Sequence, residues 1–268
     1  MRLFDILKLI LKQGLKFSII NYFMDHILSK VSVLKIFHFI AGLKLRKQSF
    51  FCKELTDFYE LVNKFTFVPL DKQLFTIRIR MAQKKKEFLD FLIIANKINP
   101  KNILEIGTFD GGTIFLLSKI SDVDAKLISI DLPIYKRDSG YAPYRLPLYR
   151  FFNIANQKLY FIRDNSHGKN SINKVKSILK EEKLDLLFID GDHSYNGVKK
   201  DFYAYYPFVK INGLIAFHDI IDHPKELNCE VSKLWNEIKN DFKTIELIEN
   251  NSEKWGGIGI IQKTQNIN

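Results

Sequence analysis

Two hydrophobic periodicities alternate along the chain from residue 83 onward: short apolar runs of strand length, and longer stretches with apolar residues three or four positions apart. The first is typical of buried β-strands and the second of helices with one apolar face. Strands are predicted at 103–107, 126–131, 159–163, 185–190, 213–218, 243–249 and 257–263. Helices are predicted at 83–97, 112–120, 148–157, 169–181, 196–206 and 229–240.

This alternation predicts an α/β fold. Strands that take turns with helices form βαβ units, in which the strands are parallel and the crossovers right-handed. Only a short loop separates the last two strands, so they are expected to form an antiparallel hairpin. The expected architecture is a Rossmann-like, doubly wound, seven-stranded sheet that is mostly parallel, has a C-terminal antiparallel hairpin and follows a helical N-terminal segment.

The first 80 residues have a different character. Apolar positions surround a narrow polar stripe over residues 3–13, and apolar helical patterns recur over residues 31–43 and 50–67. No run reaches the roughly 18 uncharged residues that a transmembrane helix needs. We therefore predict two units, a helical appendage over residues 1–80 and the α/β domain over residues 81–268.

The positive charge is concentrated in the appendage. Residues 1–80 contain 14 Lys/Arg and 6 Asp/Glu, whereas the other 188 residues contribute only +3 of the total charge of +11. A nucleic-acid-binding protein would carry its basic residues around the active face. The observed distribution fits contact with a membrane surface or an acidic partner better than nucleic-acid binding. For the helix over residues 3–13, packing on the main domain or on a second subunit is the first interpretation, and peripheral contact with a membrane is the alternative.

The cysteines and the N-terminus bear on location. Cys52 and Cys229 lie far apart and in no spacing typical of metal sites, which predicts a reducing environment without disulfides. Asp5, Lys8 and Lys12 interrupt the apolar N-terminus, so no secretory signal is expected. The predicted location is the cytoplasm, with contact at the inner face of the membrane as an additional hypothesis.

Polar residues follow each of the five predicted parallel strands. Because ligands of an open parallel sheet bind beyond the carboxyl ends of its strands, these residues are expected to share one edge. In chain order they are Glu105-Ile106-Gly107, Asp131, Arg163-Asp164-Asn165-Ser166, Asp190-Gly191-Asp192-His193 and His218-Asp219.

The first of these groups opens a glycine turn. Gly107 and Gly111 would let a ligand approach the backbone, and the helix that follows offers unpaired N–H groups to an anion. Asp131, 24 residues beyond Gly107, is placed to accept hydrogen bonds from both hydroxyls of a ribose, with a cap or turn before Pro133 as the alternative.

Asn165 and Ser166 are placed to bond an adenine edge, with a local turn as their alternative. The other strand ends carry acidic residues beside histidines: Asp190, Asp192, His193, His218 and Asp219. Carboxylates suit Mg²⁺, Ca²⁺ or Mn²⁺, and they also suit a general base for an acceptor hydroxyl.

Residues 103–219, which contain these motifs, resemble the class I S-adenosylmethionine-dependent methyltransferases. The resemblance rests on Leu-Glu-Ile-Gly-Thr-Phe-Asp-Gly-Gly-Thr, Ile-Ser-Ile-Asp131, Phe-Ile-Asp190-Gly-Asp-His-Ser-Tyr and Gly213-Leu-Ile-Ala-Phe-His-Asp219. It is strongest for the branch with cephalosporin-hydroxylase-like and macrolide-sugar O-methyltransferases, and it extends over about residues 83–263.

The resemblance implies S-adenosylmethionine as cofactor and residues 81–268 as the domain that binds it. Glu105, Gly107, Thr108, Gly111 and Gly112 would line the methionine end, Asp131 would hold the ribose, Asn165 and Ser166 the adenine, and Asp190 would also contact the cofactor. Metal-dependent relatives bind Mg²⁺, for which Asp192, His218 and Asp219 are the candidates here. A histidine replaces the first acid of the usual acidic pair, so metal-dependent and metal-independent chemistry both remain open.

The implied reaction is O-methylation of a small-molecule or saccharide hydroxyl, with Asp190, Asp192 or His193 as the catalytic proton acceptor. The loop 132–152 carries Tyr135, Lys136, Arg137, Tyr141, Tyr144, Arg145, Tyr149 and Arg150. This composition favours an anionic or glycan acceptor, or else a homo-oligomer contact. A nucleic-acid methyltransferase and a non-catalytic cofactor-binding module are the alternatives. The near-neutral α/β domain disfavours the former, and the intact glycine turn disfavours the latter.

Overall fold

The structure, a computed structural model, describes residues 32–68, 76–133, 142–250 and 252–265. Its helices are α1 (Ser32–Ser49), α2 (Leu55–Lys64), α3 (Lys85–Asn96), α4 (Gly112–Lys119), α5 (Leu146–Tyr149), α6 (Lys169–Leu179), α7 (Tyr195–Tyr205) and α8 (Val231–Ile238). Its strands are β1 (Thr66–Phe67), β2 (Ile77–Arg78), β3 (Asn102–Ile106), β4 (Lys126–Asp131), β5 (Lys158–Arg163), β6 (Leu184–Ile189), β7 (Val209–His218), β8 (Lys243–Leu247) and β9 (Ile258–Gln262). Within these ranges no helix combines the length and the apolarity needed to cross a bilayer.

Seven strands form one sheet in the order β5-β4-β3-β6-β7-β9-β8. The pairs among β3, β4, β5, β6 and β7 are parallel, and β9 pairs antiparallel with both β7 and β8. The chain runs outward from β3 to β5, then returns to β6 on the other side of β3. The predicted doubly wound sheet with its C-terminal antiparallel hairpin is confirmed.

Alternate residues of the central strands pack on opposite faces of the sheet. In β3, Ile103 joins the core under α3 and α4, whereas Leu104 joins the core under α6, α7 and α8. Leu186 and Leu187 of β6 divide in the same way. Both faces are covered, which explains why these strands are continuous apolar runs.

The described N-terminal helices pack on the first of these two cores. Ala41 and Leu45 of α1 and Val62 of α2 are fully buried in the same cluster as Phe115 of α4 and Phe152. Helix α1 begins before α5 in the chain but lies directly against it. The predicted division at residue 80 stays a prediction, and the helix predicted over residues 3–13 lies outside the described residues.

Two elements differ from the sequence expectation. The helix predicted over residues 148–157 is the single turn Leu146–Tyr149, and Ala155 has a left-handed φ of 45°, which a helix interior does not accept. The predicted helix over residues 50–67 ends at Lys64, and β1, which begins at Thr66, pairs with β2. Both of these short strands are below the length at which periodicity is readable.

Candidate active site

A cavity of about 450 Å³ lies at the carboxyl edge of the parallel strands. Its walls come from residues 81–83, 106–109, 130–132, 164–167 and 190–193, together with Thr113. Four of these five segments follow β3, β4, β5 and β6, where the strand-end argument placed the site. The volume is within the range of about 300–1,000 Å³ usual for small-molecule sites.

Gly107 allows two strand ends to meet beneath this cavity. Its φ is +90°, and a Cβ there would lie 1.9 Å from the carbonyl oxygen of Asp190. The Gly107 amide donates to Ile130 at 2.9 Å, and the Asp190 amide donates to Ile106 at 2.8 Å. The glycine is therefore required by the approach of the β3 and β6 ends, in addition to its place in the cavity wall.

Gly111 and Gly112 serve packing in this structure. A Cβ on Gly111 would lie 2.8 Å from the ring of Tyr149, and a Cβ on Gly112 would lie 2.7 Å from the carbonyl oxygen of Arg80. The Gly112 amide already donates to that carbonyl at 3.1 Å. The cavity wall includes Phe109 and Thr113 but neither Gly111 nor Gly112, and the cofactor contact expected at these two glycines stays a prediction.

Asp131 fixes the glycine turn. Its Oδ2 accepts hydrogen bonds from the amides of Thr108 at 2.8 Å and Phe109 at 2.9 Å, and its Oδ1 accepts from the Leu132 amide at 2.7 Å. Burial raises the pKa of this carboxyl, and the three amides partly offset that rise. Because Asp131 also lines the cavity, it can hold the turn and present its carboxylate edge to a ligand.

Glu105 lies beneath the cavity surface. It is fully buried, its Oε2 accepts from the Ser129 hydroxyl at 2.8 Å, and its Oε1 is buried without a hydrogen-bond partner among the described residues. Ser129 in turn bonds the hydroxyl of Thr108, which does line the cavity. Burial raises the pKa of Glu105 to about 8, so its carboxyl is largely protonated at neutral pH.

Asn165 and Ser166 are both in the cavity wall, in the loop after β5. Asn165 Oδ1 accepts from the His167 amide at 2.9 Å, which is the Asx turn weighed as an alternative. The Ser166 carbonyl accepts from the Tyr205 hydroxyl at 2.8 Å. The Asn165 amide nitrogen and the Ser166 hydroxyl are not used in these bonds, so the turn and an adenine contact are compatible.

Two carboxylates and two imidazoles meet at the ends of β6 and β7. Asp190 Oδ1 lies 3.2 Å from both His193 Nε2 and His218 Nδ1. Asp219 Oδ2 lies 3.5 Å from His193 Nε2 and 3.4 Å from His218 Nδ1. Asp190, Asp219 and His218 are buried or nearly so, whereas the His193 side chain is 42% exposed. His193 is therefore the most exposed member of this group.

These four groups shift one another's pKa. Burial alone would raise the pKa of Asp190, but the two imidazoles lower it well below its usual range. Burial would lower the pKa of His218, but Asp190 and Asp219 raise it to about 10. The hydrogen bond to Asp190 raises the pKa of His193. The buried pair His218–Asp190 is consequently charged at neutral pH.

Asp192 is oriented away from this group. Its Oδ1 accepts from the Ser194 amide at 3.0 Å, and its carboxylate packs against Gly197, where a Cβ would lie only 2.1 Å from Asp192 Cγ. Asp192 is at the cavity rim, but the acidic and imidazole side chains that come together are Asp190, His193, His218 and Asp219. Asp192 is not among the side chains that come together there, and the metal contact that we expected for it stays a prediction.

The donor set of this cluster does not fit Mg²⁺. Magnesium prefers six oxygen ligands, several of them water, in a near-octahedral arrangement. Here the imidazole of His218 stands where the resemblance implies a carboxylate, and the imidazole of His193 joins the group as a second nitrogen donor. His218 Nδ1 already contacts both carboxylates.

Gln83 is a site residue that the sequence did not single out. Its Nε2 donates to Asp190 Oδ2, and its Oε1 accepts from the Thr113 hydroxyl at 3.1 Å. It thereby joins the start of α3 and the first turn of α4 to the strand end that carries Asp190. A glutamine before three lysines has no recognisable motif, so only the fold identifies this role.

The loop before α5 contributes structural contacts. Arg145 Nη1 bonds Asp110 Oδ1 at 2.6 Å, and Arg80 Nε bonds Asp110 Oδ2 at 2.6 Å. Tyr144 and Tyr149, which we expected to face an acceptor together with Arg145, are buried. Arg150 is exposed beside them. Tyr135, Lys136, Arg137 and Tyr141 lie outside the described residues.

Comparison with known proteins agrees with this geometry. Residues 104–220 match a protein-family model described as a methyltransferase domain. An uncharacterised protein of Acanthamoeba polyphaga mimivirus is 32% identical over 131 residues, which are 45% of this chain and 52% of that protein. The chain thus spans about half the length of this curated relative.

Solved structures share the architecture. One is the O-methyltransferase TomG from Streptomyces achromogenes, which is involved in tomaymycin synthesis and was solved in complex with SAM. Its TM-score is 0.51 at 14% identity, and the match covers 84% of this chain and 96% of TomG. An O-methyltransferase from Bacillus cereus in complex with SAH has a TM-score of 0.50 at 14% identity, covering 92% and 97%. Residues 104–220 thus match a methyltransferase-domain model, and the chain shares the fold of these two solved O-methyltransferase structures.

Proposed function

We propose that this protein is an S-adenosylmethionine-dependent O-methyltransferase that acts on a hydroxyl of a small-molecule or saccharide acceptor. One observation carries the proposal: a single cavity joins the Gly107 turn and Asp131 on one side to the Asp190–His193 pair on the other. The first pair of features suits a nucleoside cofactor, and the second suits removal of a proton.

The cofactor would lie along the strand ends in a definite direction. Asp131 would accept hydrogen bonds from the ribose, and Asn165 with Ser166 would meet the adenine. Gly107 and Thr108 would line the methionine end, with Glu105 acting from below through Ser129 and Thr108. When bound, S-adenosylmethionine supplies an electrophilic methyl group on its sulfonium.

His193 is the proposed proton acceptor. Its Nε2 faces Asp190 and Asp219, so this nitrogen carries the ring hydrogen, and Nδ1 makes no hydrogen bond with a described residue. Asp190 orients the ring and is held in turn by Gln83. During methyl transfer, Nδ1 would accept the proton of the acceptor hydroxyl, and the two carboxylates would stabilise the resulting imidazolium.

Activity and cofactor affinity of matched variants test this assignment. His193→Gln and Asp190→Asn are expected to lower the rate of methyl transfer about 10²–10⁴-fold while S-adenosylmethionine still binds. Transfer is followed with radiolabelled cofactor over glycans, small phenols and nucleic acids, and affinity by calorimetry. Asp192→Asn is the control: since its side chain caps the start of α7, we expect its rate to change less than tenfold.

Each outcome has a distinct meaning. Unchanged transfer in His193→Gln would refute the proton-acceptor role. Transfer to nucleic acid but to no other acceptor would refute the small-molecule and saccharide proposal. Cofactor binding without transfer to any acceptor would favour a non-catalytic module.

We also propose peripheral membrane contact through α1. Ile36, Phe39, Ile40 and Leu43 of this helix are each 41–52% exposed, and residues 32–52 contain four basic and no acidic side chains. Apolar and basic residues on one exposed helix suit the surface of an anionic bilayer. Sedimentation with anionic vesicles tests this: Ile40→Asp should lower binding, whereas Ile211→Asp, an equally exposed site elsewhere, should not.

A further inference from the structure

The loop between β7 and α8 brings three different metal-binding side chains together. Asp219, His223 and Cys229 offer a carboxylate oxygen, a ring nitrogen and a sulfur that all lie within 4.8 Å of one another. Sequence spacing did not suggest this group, because the intervening residues form a short 3₁₀ turn over Lys225–Leu227 that returns Cys229 to the strand end. The Glu230 amide then donates to the His193 carbonyl at 2.8 Å, which fastens the returning chain.

The orientation of His223 is the informative detail. Its Nδ1 lies 2.8 Å from the carbonyl oxygen of Ile221, so Nδ1 carries a hydrogen and donates it. In the neutral ring, Nε2 then presents a lone pair, and this atom lies 3.3 Å from Asp219 Oδ1. A cation on Nε2, either a proton or a metal ion, pairs these two acceptors on a side chain that is only 6% exposed.

A backbone carbonyl that fixes one ring nitrogen and leaves the other to a metal is the usual outer-shell arrangement of metal-binding histidines. The Asp219 carboxylate is prepared in the same way, since its Oδ1 accepts from the Gly256 amide at 3.2 Å. Asp219 itself has a left-handed φ of 64°, a conformation that the surrounding contacts must hold in place.

The spacing selects the type of ion. Zinc bonds to nitrogen and oxygen are about 2.0–2.2 Å, so two such ligands at a tetrahedral angle lie about 3.4 Å apart. The 3.3 Å between Asp219 Oδ1 and His223 Nε2 agrees with that value. A ligand set of nitrogen, sulfur and a single carboxylate favours zinc and chemically similar ions over magnesium or calcium.

We propose that Asp219, His223 and Cys229 bind one thiophilic divalent cation of the zinc type, with a water molecule or other small ligand in the fourth position. This site uses Asp219 Oδ1 and is distinct from the Asp190–His193–His218 cluster, which contacts Oδ2. It rests on the proposed function only in that Asp219 would bind the ion through Oδ1 while its Oδ2 contacts His193.

Metal binding by the full chain is the direct test. Protein stripped with a chelator is titrated with Zn²⁺ against a chromophoric competitor, and with Co²⁺ while the absorption spectrum is recorded. The expected result is one ion per chain, with a cobalt–thiolate charge-transfer band. Cys229→Ser should remove that band and weaken Zn²⁺ binding at least tenfold, and His223→Ala should weaken it similarly. Cys52→Ser, at the other half-exposed cysteine, should retain both properties.

Several results would overturn the proposal. The first is that the stripped protein binds no Zn²⁺. The second is that the charge-transfer band persists in Cys229→Ser. The third is that Asp190→Asn weakens Zn²⁺ binding whereas Cys229→Ser does not. If His223→Ala fails to fold, Cys229→Ser and the cobalt spectrum still decide. The titration contains neither S-adenosylmethionine nor acceptor. A failure to bind zinc therefore leaves the methyltransferase proposal standing, and a failure of methyl transfer leaves the zinc result standing.

Discussion

The buried carboxyl of Glu105 predicts that this protein loses stability as the pH rises. Its pKa is raised from 4.5 to about 8, first because it is buried and then because of the nearby Asp131 and Asp190. A group whose pKa is higher in the folded chain binds more protons there. Its contribution to the free energy of unfolding is therefore complete at pH values below its pKa in the unfolded chain. That contribution is lost as the pH rises through the folded value.

The size of this effect follows from the two pKa values. One pKa unit corresponds to about 1.36 kcal/mol, and integration from pH 5 to pH 8 gives a loss of about 3.5 kcal/mol from Glu105 alone. Glu105 is fully buried, so solvent does not screen this loss. A protein of ordinary stability would lose a large part of its free energy of unfolding over that range.

Replacement by the neutral isostere isolates the effect. Glu105→Gln cannot ionise, so its free energy of unfolding relative to the native chain should increase by about 3.5 kcal/mol between pH 5 and pH 8. Urea denaturation at a series of pH values measures this difference, and other titrating groups cancel in it. Glu182→Gln is the control. Because Lys126 lowers the pKa of Glu182, the difference in unfolding free energy between Glu182→Gln and the native chain should not change with pH above pH 5. A flat difference for Glu105→Gln as well would refute the reasoning.

Two further substitutions test how the cavity wall is held. Gly107→Ala should cost about 3 kcal/mol of unfolding free energy, because of the +90° φ and the backbone collision. Gly168→Ala, at a negative φ of −77°, should cost less than about 1 kcal/mol, and equal losses would contradict this account. Tyr205→Phe should cost about 1 kcal/mol and weaken S-adenosylmethionine binding in calorimetry, because it removes the donor to the Ser166 carbonyl. Tyr203→Phe, at an exposed tyrosine, should change neither the stability nor the cofactor affinity. An unchanged cofactor affinity in Tyr205→Phe would contradict a role for Ser166 in binding.

The sheet edge at which the polar groups collect was predictable before the fold because parallel βαβ topology leaves little freedom. Once strands were placed ahead of Glu105, Asp131, Asn165 and Asp190, right-handed crossovers brought their carboxyl ends to one edge. The cavity contacts Asp131, Asn165 and Asp190 there, and Glu105 lies one layer below. Successive apolar residues of a strand also pack on opposite faces of the sheet, as Ile103 and Leu104 do in the two cores.

Side-chain direction within each loop was decided by contacts between segments distant in the chain. Asp192 and His193 are neighbours in sequence, yet a bond to the start of α7 turns Asp192 away while Asp190 holds His193 in the cluster. Gln83 reaches Asp190 across 107 positions of sequence.

The amino-acid sequence by itself determined the order of strands and helices and the edge at which polar groups collect, because hydrophobic periodicity and chain handedness act locally. Only the tertiary structure decided which of those groups touch, that Gly111 packs on Tyr149, and that Asp219, His223 and Cys229 converge. Hydrogen bonds and close packing between distant segments have no periodic signature, so they become visible only when the chain is folded.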